Sequence, residues 1–420
     1  MSLRCEYVNR CGLFLHNKQT LFSFAINMET KLKFIQIVTI LFFAATLSAQ
    51  KSVIKKELEW DQKGYFILNP ELANNNNELA FVCISSGVDS ISNKKFPFQS
   101  TNKVYLDSLG ISKRIYDPLV CSMNTQSGQL SVIDFGWEPA FSPNANEIVY
   151  AFQKHSLKRK DKLYANVFAG NSIKLFDKKS ATTKEIARSV NGYLLDPVFE
   201  DSIHILYKTG DKINGPYGGG VSLSLLNLKT NQTNSIQRPT IRSLKYEIIG
   251  AVFHVNGKTA YTVYSPVDSG GEDASLYLHL LMSEKDTLYN FGTKGFTNLA
   301  GKLGFNAKQE MLYLDDGHFM EEDTNYIEVY KNKKIIHKKP LNFSFVKGYL
   351  SAGGKYMLYT TADSVINILN LENFETTKVD VSPKEIHAIA WSRDDSRLVI
   401  VQDHETLLGT DKLTILKLEE

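Results

Sequence analysis

Along this chain, short apolar runs recur in pairs, and each pair is split by a tight polar turn. Two stretches show it best: PAFSPNANEIVYAF at 139–152 and IAWSRDDSRLVIVQD at 389–403. Five further stretches carry the same pattern, at 65–85, 194–209, 248–265, 299–316 and 346–362. A bulky apolar residue precedes each turn: Leu72, Phe141, Phe199, Phe253, Phe305, Leu350 and Trp391. The turns hold Asn74 to Asn77, Pro143-Asn144, Asn256-Gly257, Gly353-Gly354 and Asp394-Asp395. Asn, Asp and Gly tolerate the left-handed backbone of tight hairpins. The flanking runs are almost continuously apolar, which predicts strands buried on both faces.

A third apolar run and a weaker, more polar fourth follow the hairpins. Examples are SIKLFDKKSATTKEIARSV, VSLSLLNLKTNQTNSIQ and VINILNLENFETTKVDV. Four antiparallel strands in each repeat of about 40 to 60 residues predict an all-β fold of propeller blades. Seven hairpins predict a seven-bladed β-propeller, with six or eight blades as alternatives. The last repeat has a third strand, LTILKLEE, but no fourth before Glu420. SVIKKELEW at 52–60 is expected to supply it, which would cover an open sheet edge.

FSPNANEIVYAF and WSRDDSRLVIV resemble the opening of TolB-like repeats, also called WD40-like or PD40 repeats, whose pattern is close to F-S-P-D-G-K-x-I-A-F. Here Asn144-Ala145 and Asp394-Asp395 stand where that family usually has Asp-Gly. No repeat ends its third strand in the Trp-Asp pair of true WD40 repeats; the one Trp-Asp in the chain, Trp60-Asp61, lies at the end of the N-terminal segment ahead of the first repeat. The resemblance implies a propeller over most of residues 52–420. It further implies a role as a periplasmic protein-binding platform, or as a substrate-gating domain beside a peptidase. It carries over no catalytic residues.

The N-terminus changes how charge is read. Lys31 and Lys33 precede an apolar run from Phe34 to Leu47, and Ser48-Ala49-Gln50 follow. That order is expected of a cleaved signal peptide in residues 1–49, with Met28 the better start. The run is shorter than the roughly 18 to 20 residues that span a bilayer. The protein is therefore expected to be exported, periplasmic or secreted, with no integral membrane segment after cleavage and one propeller domain over 50–420. Five of the 48 basic and two of the 45 acidic side chains fall in residues 1–49, which leaves 43 of each. This balance offers nothing to attract nucleic acid. Two of the four cysteines, Cys83 and Cys121, remain. In an oxidising compartment they read as a disulfide or as two buried thiols.

Chemistry is expected in the loops between second and third strands, which are long, while the opposite turns are short. Candidate binding residues on that face are Lys154, His155, Lys158, Arg159, Lys160, Tyr217, Asp315, Asp316, His318, Asp403 and His404. Bases cluster in the early repeats and acids in the later ones, which suggests a bipolar docking surface. DDGHFMEEDTN lacks the alternating acids of an EF-hand, so no metal is expected there. His155, His318, His387 and His404 read as exposed side chains rather than converging ligands. No G-x-S-x-G elbow or H-E-x-x-H motif occurs. These features favour a non-catalytic scaffold for a protein or peptide of the cell envelope, without a cofactor. A lyase or hydrolase at the channel mouth and a carbohydrate-binding propeller are the alternatives.

Overall fold

The computed structural model describes residues 53–61, 65–85, 99–100, 118–152, 171–190, 192–211, 222–236, 248–255, 258–265, 275–281, 287–292, 301–306, 308, 310–315, 325–331, 334–343, 345–403 and 411–419. The expected leader, residues 1–49, lies outside them. Among the described residues there is no helix, and the strands form seven sheets, six of four strands and one of five. The first strands of the sheets are Tyr65–Leu72, Trp137–Phe141, Gly192–Phe199, Ile248–Val255, Leu303–Phe305, Lys347–Leu350 and Ile386–Trp391. Each pairs antiparallel with the strand that follows it, as the hairpin pattern predicts.

The turns show why their residues are needed. Asn76, Ala145, Gly354 and Asp395 have φ of 58°, 59°, 68° and 57°. In the second sheet the left-handed residue is Ala145, not the expected Asn144. Asn144 instead accepts the Asn146 amide and the Ser142 hydroxyl through Oδ1. The serine after the bulky residue closes three of these turns. Ser142, Ser351 and Ser392 accept the amides of Glu147, Tyr356 and Arg397 at 3.0, 3.0 and 2.8 Å.

The last sheet has the order Val53–Asp61, Asp411–Glu419, Arg397–Asp403, Ile386–Trp391, so the N-terminal strand is added at its edge. Charge reinforces this addition. Glu57 takes two hydrogen bonds from Arg397, and Glu59 pairs with Lys412 at 2.9 Å. One departure occurs in the first sheet, where Gln99–Ser100 pairs parallel with Leu130–Phe135 inside what reads as a plain loop.

The core lies between sheets. Leu79, Phe81 and Phe135 of the first sheet pack with Val399, Val401 and Leu413 of the last. Ile133 and Val120 pack with Ile148 and Tyr150 of the second. Leu358 and Ile368 of the sixth pack with Leu398 and Ile400 of the last. Both faces of these strands are thus covered, which explains their unbroken apolar runs. A buried triad lies within the second of these layers: Asp134 accepts the Tyr150 hydroxyl at 2.7 Å and pairs with Lys174 at 3.0 Å.

Cys83 and Cys121 are free, buried thiols rather than a disulfide. The register explains it. Cys83 lies opposite Leu119 and Phe81 opposite Cys121, so the two cysteines are diagonal neighbours. Diagonal Cα atoms lie about 7–8 Å apart, at or beyond the roughly 7 Å a disulfide can bridge.

Candidate functional site

The first strands of six of the sheets line an open cavity of about 770 Å³. Its wall includes residues of the short first turns, among them Asn74, Pro143, Ser202 and Arg393. It therefore extends toward the face opposite the long loops. The bulky residues that mark the repeats form much of the apolar wall: Leu72, Phe141, Phe199, Leu350 and Trp391. Trp391 stacks on Tyr356 with ring centroids 6.2 Å apart, and its buried indole N–H has no hydrogen-bond partner.

Three acids, Glu71, Glu138 and Asp196, line the wall from consecutive sheets. Their strands share an irregularity. Asn69, Glu138 and Asp196 have φ of 49°, 53° and 45°, and each precedes a proline. At each, pairing slips: between Leu68 and Glu71, between Trp137 and Ala140, and between Leu195 and Val198. Proline cannot donate to the ladder, and left-handed backbone in a non-glycine residue costs roughly 1–2 kcal/mol. Three such bulges in equivalent places mark a built feature, since bulges re-aim side chains.

The re-aimed carboxylates bridge sheets. Glu71 Oε1 accepts the Phe141 amide at 3.0 Å, and Glu138 Oε2 accepts the Asp196 amide at 2.6 Å. Asp196 is ion-paired with Lys208, which is buried behind it. Burial pushes the Glu71 carboxyl up to about 7. Burial first, then the charge of Asp196 and a hydrogen bond to it, push Glu138 well above the usual carboxylate range. Glu138 is thus a carboxyl whose charged form is disfavoured, set beside an Asp paired with an ammonium. Such a pair can donate a hydrogen bond or exchange a proton.

A second cluster lies apart from this wall, at the end of the last sheet. His387 Nε2 is 2.8 Å from Asp403 Oδ1 and 4.0 Å from Asp411 Oδ1. Burial, the largest influence, pushes the Asp411 carboxyl up.

Of the residues expected at the binding face, Asp403 alone has a described side chain. Lys154, His155, Lys158, Arg159, Lys160, Tyr217, Asp316, His318 and His404 lie outside the described residues. Asp315 ends the strand Met311–Asp315, paired with Tyr326. The cavity acids escape a reading based on loops. Their signal was the recurring Asn-Pro, Glu-Pro and Asp-Pro ahead of the bulky residue, at 69–70, 138–139 and 196–197.

No family model matches the chain, and no curated protein matches its sequence. Solved structures do match. The β-propeller domain of the Trilobed protease from Pyrococcus furiosus, described as having an open velcro topology, aligns with TM-score 0.53 and 12% identity over 85% of this chain and 94% of that one. An oligogalacturonate lyase from Vibrio parahaemolyticus aligns with TM-score 0.53 and 10% identity over 89% of this chain and 95% of that one. At such identity the likeness concerns fold alone. It places these four-stranded sheets among the β-propellers.

Proposed function

We propose that the chain is an exported, seven-bladed β-propeller of TolB-like character that binds a segment of another protein. The seven sheets are its blades, and the N-terminal strand completes the last. The central cavity takes a basic side chain or amino terminus of the bound segment. The charge of the wall carries this reading. Among the described residues, Glu71, Glu138, Asp196, Glu200 and Asp201 line the cavity against one lining base, Arg393. Lys208 offsets Asp196 from behind. A concave, partly apolar wall with five carboxyls against one base favours a cation over an anion, and a bound cation would itself favour the charged forms of Glu71 and Glu138. Pockets of roughly 300–1,000 Å³ suit a small ligand or a few residues of chain, and about 770 Å³ falls within that range.

The test uses intrinsic tryptophan fluorescence, since Trp391 lines the wall. Pentapeptides with a central Lys or Arg are titrated beside Glu and Gln versions. Basic peptides should change the emission saturably, and Glu138→Gln with Glu71→Gln should weaken them. Equal response to all four peptides would end this reading.

One observation favours a second reading. The raised Glu138 carboxyl beside Asp196 is the kind of group that general acid–base catalysis uses. Turnover of peptide or acidic oligosaccharide substrates that disappears in Glu138→Gln, with binding retained, would favour an enzyme over a scaffold.

A further inference from the structure

We infer that His387, Asp403 and Asp411 form a binding site for a divalent transition-metal cation of the zinc or manganese type. The backbone brings them together for clear reasons. Asp403 and Asp411 are the terminal pair between the strands Arg397–Asp403 and Asp411–Glu419. Directly opposed residues share a face of the sheet. His387 is the extra residue where pairing slips between Ile386 and Ala388. A bulge there turns a side chain that regular alternation would place elsewhere.

Asp411 supplies the independent observation. It is 2% exposed. Its Oδ2 accepts the Ile67 amide at 2.7 Å, whereas its Oδ1 has no hydrogen-bond partner. A buried carboxylate oxygen without a donor is expensive, and native proteins rarely leave one. The unpartnered oxygen faces His387 Nε2 at 4.0 Å. A plain ion pair accounts for His387 and Asp403. It leaves the Asp411 oxygen unexplained, and a cation between the three groups explains all of them.

The dimensions fit. The three ligand atoms lie within 4.8 Å of one another. A metal about 2.0–2.2 Å from each N or O ligand holds its ligands roughly 3–4.4 Å apart. The side chains of His387 and Asp403 are 34% and 49% exposed, so they are free to make the small adjustment required. Ligand chemistry narrows the ion. Imidazole with carboxylates suits zinc, manganese and their neighbours, whereas calcium and magnesium take oxygen ligands. Three protein ligands leave positions open to water or to a ligand oxygen. Because Asp411 also holds the Ile67 amide, the cation braces the junction between the last sheet and the first.

The purified full chain is stripped with EDTA and titrated calorimetrically with Zn²⁺, Mn²⁺ and Ca²⁺ in turn. The expected result is one equivalent of Zn²⁺ or Mn²⁺ bound, with a rise in thermal midpoint. His387→Ala and Asp411→Asn should each weaken binding tenfold or more, by about as much as loss of supporting residues alone costs other sites. Circular dichroism checks that the variants fold, and should Asp411→Asn fail to fold, Asp403→Asn replaces it. Asp380→Asn, an exposed acid elsewhere, should leave binding unchanged. Three outcomes overturn the site: no binding by the wild type, binding unaltered in the ligand variants, or preference for Ca²⁺.

Discussion

The Glu71 carboxylate accepts a hydrogen bond from the Phe141 amide at 3.0 Å and thereby joins the first strands of two neighbouring sheets. The group is half-buried, and loss of hydration pushes its carboxyl from 4.5 up to about 7. Between those values the folded chain keeps a proton that the unfolded chain releases. Its contribution to stability is therefore full below about pH 4.5 and is lost as pH rises through 7. Each unit is worth about 1.4 kcal/mol, so the whole effect is roughly 3 kcal/mol at most. Glu71→Gln keeps an acceptor for Phe141 and removes the titration. Urea unfolding should show the stability difference between pH 4 and pH 9 reduced by up to that amount. An unchanged difference would place the titration elsewhere.

Arg397 is the latch of the N-terminal strand. Its Nε and Nη2 donate to Glu57 at 2.7 and 3.2 Å, and its Nη1 donates to the Asn76 carbonyl at 2.6 Å. The side chains are only 13% and 21% exposed. Charge-assisted, bidentate and mostly buried, this contact should lose about 2–3 kcal/mol in Arg397→Ala. Arg397→Lys cannot reproduce the fork and should recover less than half. Salt up to 1 M should hardly weaken the wild-type latch, unlike an open surface pair. Losses under about 0.5 kcal/mol would mean that backbone pairing alone holds the strand.

Much of this was readable in advance, and the reasons are local. Unbroken apolar runs around Asn, Asp and Gly turns mark strands covered on both faces. The serine after Phe141, Leu350 and Trp391 marks a turn that needs a side-chain acceptor. The spare third strand at 413–418 called for a partner, and Val53–Asp61 provides it. The cavity acids were harder. Glu138 and Asp196 sit at bulges, where the two-residue alternation that assigns faces breaks down. The His387 cluster was harder still. Asp403 and Asp411 meet only because one register is chosen, and His387 joins them only because its strand slips by one residue. A one-residue change of register would move each side chain to the other face.

The thiols of Cys83 and Cys121 should be present but hidden. Both are fully buried, and burial pushes the Cys83 thiol well above its ordinary range. The thiolate is the reactive form, so alkylation in the folded state should be slow. Iodoacetamide without reductant should modify neither residue in buffer and both in 6 M guanidinium, as read by peptide mass mapping. A disulfide-linked peptide would show instead that the strands shift to bring the diagonal pair together.

Asp395 and Gly353 meet between the last two sheets, and a double-mutant cycle tests their contact. Asp395 is 3% exposed and accepts the Gly353 amide at 2.8 Å, the Ser351 hydroxyl at 2.8 Å and the Lys355 amide at 3.1 Å. A Cβ on Gly353 would lie 2.5 Å from Asp395 Oδ2, closer than any real contact allows. Gly353→Ala should therefore destabilise by forcing the carboxylate off its donors. Asp395→Gly removes the acceptor without straining the backbone, since φ there is 57°. It leaves partly buried donors unpaired, a loss of about 1–3 kcal/mol. In the double variant the added methyl meets no carboxylate. Its loss should fall short of the two single losses combined by about 1 kcal/mol or more, the size expected of residues in contact. Strict additivity would mean that the methyl acts on the turn backbone and not on Asp395, and that this carboxylate is not what sets the spacing of the two sheets.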